Sequence, residues 1–549
     1  MTEIWKVFSK EELQELIGLS TLERLERLIP ALIKDTGDPD LIYYKETLCQ
    51  IFDAFTGPEA ITNNQFRKRL LNHLTPAELD AIVTATAVCK TELPFETKVD
   101  KLAASGWRDE EFCRSFIDQL GLPDAFLPAV RADQETEQLI PAPASPLKLL
   151  KDYQFDVFRE AEQRSRVNNS RFVIQMPTGS GKTRTAMEII ATFLNNAAEG
   201  DIVVWLAHSE ELCEQAYECF RDVWPHVGQH NIRIVRCWGP STRLPYTFAE
   251  RAFFIGGFQK LYSLLSTNEI PFGELRPRIG LVIVDEAHKV LAPTYKQVTK
   301  ALLGNRTGVI GLTATPGRSA IDAEQNIALA EFFFNEIVSI NSGQESVISF
   351  LRRRKILSEV TYEPLVTQLR YELSENDLQY IEQFFDIPPA VLRKISVDDI
   401  RNIEILKRLQ RECEDARQII FFACSVDHSR FICAVLVFLG VSAAHIDGST
   451  SRARRHTIIA EFRSGKIQVI CNFGVLSTGF DAPKTDVVFI SRPTASIVLY
   501  SQMVGRGLRG PAIGGTEICK VIDVKDNIVG FSNEDRVYEY FDDYFNKSN

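Results

Sequence analysis

Two short runs carry complementary chemistry: Met176-Pro177-Thr178-Gly179-Ser180-Gly181-Lys182-Thr183 and, about a hundred residues later, Asp285-Glu286-Ala287-His288. Gly179 and Gly181 let the backbone turn so that successive amide N–H groups and the positive end of a following helix face an anion. Lys182 then supplies a cation for the β- and γ-phosphates of a nucleoside triphosphate, and Thr183 a hydroxyl for Mg²⁺. Asp285 offers a carboxylate to the same ion, and Glu286 is placed to orient and polarise an attacking water. A strict phosphate-loop pattern wants Gly where Met176 stands, so the first run is specific only in combination with the second. Together they form the two halves of an ATP-hydrolysing site, with ATP and Mg²⁺ as its ligands.

Such a loop works only if a strand enters it and a helix leaves it. Arg171-Phe172-Val173-Ile174-Gln175 is strand-like and Ala186-Met187-Glu188-Ile189-Ile190 helix-like, while Asp285 ends the apolar run Leu281-Val282-Ile283-Val284. Further apolar runs at 202–206, 232–235, 253–255 and 309–312, separated by helical patterns, predict an α/β fold with a parallel sheet covered on both faces. A second set at 419–422, 469–471 and 487–490 predicts a second sheet. In such sheets ligands bind at the carboxyl ends of the strands, where both runs fall.

These residues resemble motifs I and II of the superfamily 2 helicases and translocases, and other motifs follow in that family's order. Leu150-Lys151-Asp152-Tyr153-Gln154 resembles the adenine-reading Q motif, the Gln154 amide having the donor and acceptor an adenine edge needs. Ala207-His208-Ser209 resembles motif Ia, Gly257-Phe258-Gln259 motif Ib and Thr313-Ala314-Thr315-Pro316 motif III. Phe421-Phe422-Ala423-Cys424-Ser425 stands at motif IV, Ser477-Thr478-Gly479-Phe480-Asp481-Ala482-Pro483 at motif V, and Gln502-Met503-Val504-Gly505-Arg506-Gly507-Leu508-Arg509 at motif VI.

The resemblance covers residues 147–549 and implies two tandem RecA-like lobes. It implies that Gln154, Pro177, Thr178, Gly179, Ser180, Gly181, Lys182, Thr183, Gly479 and Asp481 hold the nucleotide. Gln502, Arg506 and Arg509 are expected to join Lys182, Asp285 and Glu286 in hydrolysis, with Thr183 and Asp285 on the metal. His208, Gln259, Ser425 and Thr478 fall where the family contacts a nucleic-acid backbone, contacts that carry no sequence information. Arg506 and Arg509, three apart, would share one face of a helix and reach the nucleotide of the opposite lobe, an effect worth about 10³–10⁵ in rate elsewhere. Thr315-Pro316-Gly317-Arg318, Ser491-Arg492-Pro493-Thr494 and the motif VI spelling resemble the bacterial DNA helicases and restriction-type translocases more than the RNA-remodelling DEAH group. DNA is therefore the expected track, with 3′ to 5′ movement implied by the branch, and RNA the alternative.

The expected division is an acidic helical domain at 1–145, a first lobe at 146–341, a helical junction at 342–417 and a second lobe at 418–549. The net charge of −11 is concentrated in the first segment, which holds about 25 acidic against 15 basic side chains, so the motor itself is close to neutral. Ser9 with Glu12, Ser20 with Glu23, and Thr75 with Glu78 read as capping-box helix starts. The run Ile140-Pro141-Ala142-Pro143-Ala144-Ser145-Pro146 reads as an extended linker. The segment 1–145 reads first as a solvated acidic helix bundle, and its concentrated charge raises docking of a protein partner or covering of the nucleic-acid groove as the functional alternatives. The 11 cysteines lack any C-x-x-C pair, and Cys213, Cys219, His226 and His230 fit no usual zinc spacing, so thiols are expected to be buried and unligated. No apolar run reaches the ~20 residues of a membrane span, and a cytoplasmic enzyme is expected. Glu517, Asp523 and Lys525 carry too weak a nuclease pattern to argue from, and the basic run Arg352-Arg353-Arg354-Lys355 reads as a hydrated helix end with phosphate contact as the alternative. An ATP-gated switch that recruits an effector remains the rival to a motor.

Overall fold

The computed structural model describes residues 2–33, 38, 40–107, 109–128, 137–141, 149–239, 250–267, 272–314, 323–384, 386–415, 417–475, 484–494 and 496–529, with two sheets at its centre. The first contains β1 (Glu137–Ile140), β2 (Arg171–Gln175), β3 (Ile202–Ala207), β4 (Ile232–Cys237), β5 (Ala252–Gly257), β6 (Ile279–Asp285), β7 (Gly308–Thr313) and β8 (Ile337–Ser339), in the spatial order β1-β4-β5-β3-β6-β7-β2-β8. Its neighbours are parallel except β1, which runs antiparallel to β4. Strands β3, β6 and β7 are buried along their whole length, as a sheet covered on both faces requires. This order brings the loops after β2, β6, β3 and β5 to one carboxyl edge.

The second sheet contains β9 (Glu359–Glu372), β10 (Ile419–Phe422), β11 (Ala443–Ile446), β12 (Val469–Asn472), β13 (Val487–Ile490) and β14 (Ile518–Val529), all parallel, in the order β11-β12-β10-β13-β14-β9. The expected helical junction is thus partly sheet. Its run Val360, Leu365, Thr367, Leu369 and Tyr371 presents β-branched, aliphatic and aromatic side chains to the protein, and Pro364 is tolerated because β9 lies at an edge. Helices follow it as expected, the first with Ser374 and Asp377 capping each other. Arg401, on the helix Asp399–Glu414, is fully buried and joins that helix to β14 and β9. Its Nε donates to Asp526 Oδ1 at 2.8 Å, and Thr367 Oγ1 donates to the same oxygen at 2.7 Å.

The first segment is helical, with reciprocal capping boxes at Ser9/Glu12 and Thr75/Glu78. Ser20 is not a cap. The helix Lys10–Ile17 ends on Gly18 (φ +94), and Gly18 itself starts Leu19–Leu32, leaving Ser20 inside the first turn. The segment also ends differently from the expected linker: residues 137–140 form β1, while 142–148 lie outside the described residues.

The helical segment packs on the second lobe. Its core, including Trp5, Leu48 and Phe52, is continuous with Phe431, Ile432, Val435 and Leu436 of the helix Val426–Phe438. That helix is buried at every position from His428 to Leu436 except Arg430, so it must be covered on both sides. One side meets the second sheet and the helix Lys45–Phe55 meets the other. Arg24 lies 4.0 Å over the Phe431 ring while its Nε donates to Asp399 at 2.7 Å, and Glu59 pairs with Arg454 at 3.6 Å. No described helix is long and apolar enough to cross a membrane. Deleting residues 1–128 is expected to expose the apolar face of Val426–Phe438, so the shortened chain should bind a hydrophobic dye, aggregate and unfold at lower temperature. A soluble truncation with an unchanged unfolding temperature would contradict this packing.

Candidate functional site

The loop after β2 is shaped by its glycines. Gly179 and Gly181 have φ of +85° and +89°, a region that side chains rarely adopt, and Gly181 starts the helix Lys182–Asn196 with no side-chain cap. A Cβ on Gly181 would fall 2.1 Å from Gln154 Nε2, so a larger residue there would displace that amide as well as strain the backbone. Ser180 folds back, its N–H and Oγ both bonding Pro177 O. The Ser180 carbonyl in turn accepts from Tyr153 Oη at 2.8 Å and Gln154 Nε2 at 3.1 Å. Gln154 Oε1 accepts from Lys151 N at 3.0 Å, so both ends of this amide are turned onto the chain's own backbone rather than presented to a base.

Across the loop, β6 delivers Asp285 and Glu286. Glu286 sits in the left-handed region (φ +51°, ψ +56°), a strained geometry for a carboxylate residue and one that concentrates at functional sites. Burial raises the Asp285 carboxyl to about 6. Burial works in the same direction on Glu286, but the ammonium of Lys182 outweighs this and holds its carboxylate down to about 2. His288 is buried, which pushes its imidazole down to about 3, so it is neutral 3.4 Å from the Glu286 carboxylate. A buried carboxylate beside a threonine hydroxyl is a fitting seat for Mg²⁺, whose charge would keep Asp285 ionised. Among the described residues no cluster of His, Cys, Asp or Glu forms a separate metal site.

The second lobe completes a cavity of about 310 Å³ lined by Thr178–Thr183, Asp285, Glu286, Gln502, Arg506 and Arg509, with Ile513 and Gln215 beyond them. Burial brings both arginines down to about 10, leaving them charged at neutral pH. They do not share a helical face. The helix Ile497–Val504 ends at Gly505, Arg506 lies on the following turn, and Arg509 pairs with Leu357 in an antiparallel bridge. Glycines at 505, 507 and 510 break the helix and permit close approach: a Cβ on Gly505 would lie 2.5 Å from Thr178, and one on Gly510 2.3 Å from the Lys355 carbonyl. Ser358 Oγ bonds the carbonyls of Arg509 and Thr516, both at 2.7 Å, and Leu357 lies against Gly179. Sequence reasoning missed the 355–358 segment because nothing in Ile356-Leu357-Ser358 marks it as part of a site.

Of the expected nucleic-acid residues, His208 follows β3 and contacts Lys289, Gln259 is exposed after β5, and Ser425 caps Val426–Phe438 through His428 N. Thr478, Gly479 and Asp481, with Thr315 and Pro316, lie outside the described residues. The four basic residues at 352–355 are each ion-paired, to Glu359, Glu345, Asp152 and Glu517. Asp523 accepts from Tyr500 while Glu517 is engaged with Lys355, so no nuclease grouping forms there. Cys213, Cys237, Cys424 and Cys471 are among the buried cysteines.

A family model described as "Type III restriction enzyme, res subunit" matches residues 147–318, and one described as "Helicase conserved C-terminal domain" matches 401–510. These two matches support a superfamily 2 helicase. The first match spans β2 to β7 of the first sheet and the second spans β10 to β13 of the second. Among relatives of this helicase, a "51.5 kDa protein" of Lactococcus phage (isolate 7-9) is 26% identical over 342 residues, 61% of this chain and 62% of that one. The "Putative ATP-dependent helicase IRC3" of Saccharomyces cerevisiae is 23% identical over 373 residues, 66% of this chain and 49% of that one. The helicase therefore spans about half to three-fifths of the length of these relatives. A solved structure, "ATP-dependent Type ISP restriction-modification enzyme LlaBIII bound to DNA", shares 17% identity over 72% of this chain and 29% of that one, with a TM-score of 0.49.

Replacing Lys182 by Ala removes the one ammonium at the phosphate loop and is expected to weaken ATP binding measured by fluorescent-nucleotide titration. Glu286→Gln is expected to keep ATP binding while lowering turnover by about 10²–10⁴, the usual worth of a general base. Both variants hydrolysing ATP at the wild-type rate would show that the site lies elsewhere.

Proposed function

We propose that this chain is a nucleic-acid-stimulated ATPase that converts closure of its two lobes into movement along, or unwinding of, DNA. The observation that carries this reading is that Arg506 and Arg509 of the second lobe line the same cavity as Lys182 and Glu286 of the first. In this reading Lys182 and the amides of 179–183 grip the phosphates, and Thr183 and Asp285 hold Mg²⁺. That ion, when bound, neutralises charge on the transferring phosphoryl group. Glu286, ionised throughout the neutral range, orients the attacking water and accepts its proton. Arg506 and Arg509, positioned by Gln502 and the Leu357 bridge, stabilise the charge that develops on the phosphoryl oxygens. They can do so only with the cleft closed, which ties turnover to lobe movement. The His208, Gln259 and Ser425 positions at the carboxyl edges of both sheets are the proposed backbone contacts, joined by Thr478 from outside the described residues; Gly479 and Asp481 are proposed to complete the nucleotide seat, with Gln154 serving it by holding the Ser180 carbonyl of the phosphate loop.

DNA is the proposed track because the matched family is described as a restriction subunit and the motif spelling resembles that branch, and a role as motor of a restriction, phage-defence or repair assembly follows from the same resemblance. The steady-state ATPase rate should be measured without nucleic acid and with single-stranded DNA, duplex DNA and RNA, at two salt concentrations. Stimulation by DNA over RNA, weakening with salt as phosphate contacts require, is the expected outcome. Equal or greater stimulation by RNA would overturn the choice of track, and no stimulation by any of them would overturn the motor reading.

A further inference from the structure

The loop after β3 and the turn bearing Glu286 are joined by a contact that the hydrolytic chemistry does not use. Strands β3 and β6 are neighbours with Leu206 opposite Val284, so His208 and Glu286 leave the sheet at the same level. Beyond Glu286 the chain makes a short 3₁₀ turn, Ala287–Lys289, closed by Lys289 N donating to Glu286 O at 3.0 Å. The Lys289 side chain then reaches back to the other strand, its Nζ donating to His208 Nε2 at 2.9 Å. An ammonium can only donate, so the imidazole accepts, which makes it the neutral tautomer with its proton on Nδ1. One side chain thus ties the strained backbone of Glu286 to the loop at 208–210. Displacing that loop drags the turn, and Glu286 with it.

We propose that the His208–Lys289 contact is the link through which a nucleic-acid backbone phosphate seated at the loop after β3 repositions Glu286 for hydrolysis. This rests on the motor reading above and assigns its stimulation to a named pair. A phosphate oxygen accepts from the Nδ1–H of His208, the imidazole shifts toward it with Lys289 still donating to Nε2, and the turn is drawn into the arrangement in which Glu286 faces the water. Lys289 is a positioning residue here, since it touches neither nucleotide nor track.

The test is the ratio of stimulated to basal kcat, measured on the full chain at saturating single-stranded DNA. Lys289→Met is expected to leave basal kcat and the KM for ATP near the wild-type values while lowering the ratio by about 3- to 30-fold, the range of mutations that disturb coupling. Lys289→Arg, which keeps a donor, should retain the ratio, and this variant preserves the test if the methionine form folds poorly. His208→Ala should lower the ratio to the same degree, and the double variant should fall no further, because two halves of one contact are not additive. A Lys289→Met enzyme stimulated as strongly as wild type, or losses that multiply in the double variant, would overturn the link while leaving the motor reading intact. A wild-type enzyme that hydrolyses ATP without any stimulation would overturn both.

Discussion

The cleft depends on a short antiparallel bridge between the chain entering the second lobe and the chain leaving its arginine motif. Leu357 pairs with Arg509, Ser358 N bonds Leu508 O, and Gly510 N and Ala512 N bond the carbonyls of Ile356 and Lys355. Ser358 is fully buried, so its hydroxyl must find partners inside, and it finds them on the Arg509 and Thr516 carbonyls. The arginines are thereby held by the segment that connects the lobes. The same segment rests on the phosphate loop through Leu357 and on the Gln154 helix through Arg354 and Asp152. Any change in the spacing of the lobes must pass through it, which makes the geometry of Arg506 and Arg509 a function of closure.

The helical segment bears on the same movement. Its apolar face is spent against Val426–Phe438, so it travels with the second lobe, yet its last described strand, β1, is hydrogen-bonded to β4 of the first. The acidic segment is thus joined to both lobes, and the surface it offers to other molecules is what its polar faces leave over.

Much of the first lobe was legible in the sequence because its signals are local. A glycine pair before a helix, or a carboxylate ending an apolar strand, needs no distant partner to be recognised, and both runs lie where the fold places its carboxyl edge. The two regular capping boxes are of the same kind. What escaped notice depends on tertiary contact. Arg506 and Arg509 at a spacing of three suggested a helix, but Gly505, Gly507 and Gly510 end it, and the pair converges through a bridge to a residue about 150 positions earlier. β9 was hidden in a charged stretch because an edge strand exposes one row of polar side chains. Ser20 was mistaken for a cap since Gly18 can serve two helices at once, which no capping pattern encodes. Lys289 stands directly after His288 and was passed over because its partner, His208, is a neighbour only through the pairing of β3 with β6.

The central claim is that arginines of one lobe complete the hydrolytic site of the other. Its most direct test is single-turnover ATP hydrolysis by Arg506→Ala and Arg509→Ala alongside ATP affinity measured by equilibrium titration. With the cleft built as described, hydrolysis should fall by about 10³ or more for at least one of them while ATP is still bound by the first lobe, as expected for a residue acting on the transferring phosphoryl group. Unchanged hydrolysis in both variants would contradict the account, and the first lobe alone would then have to contain the whole catalytic site.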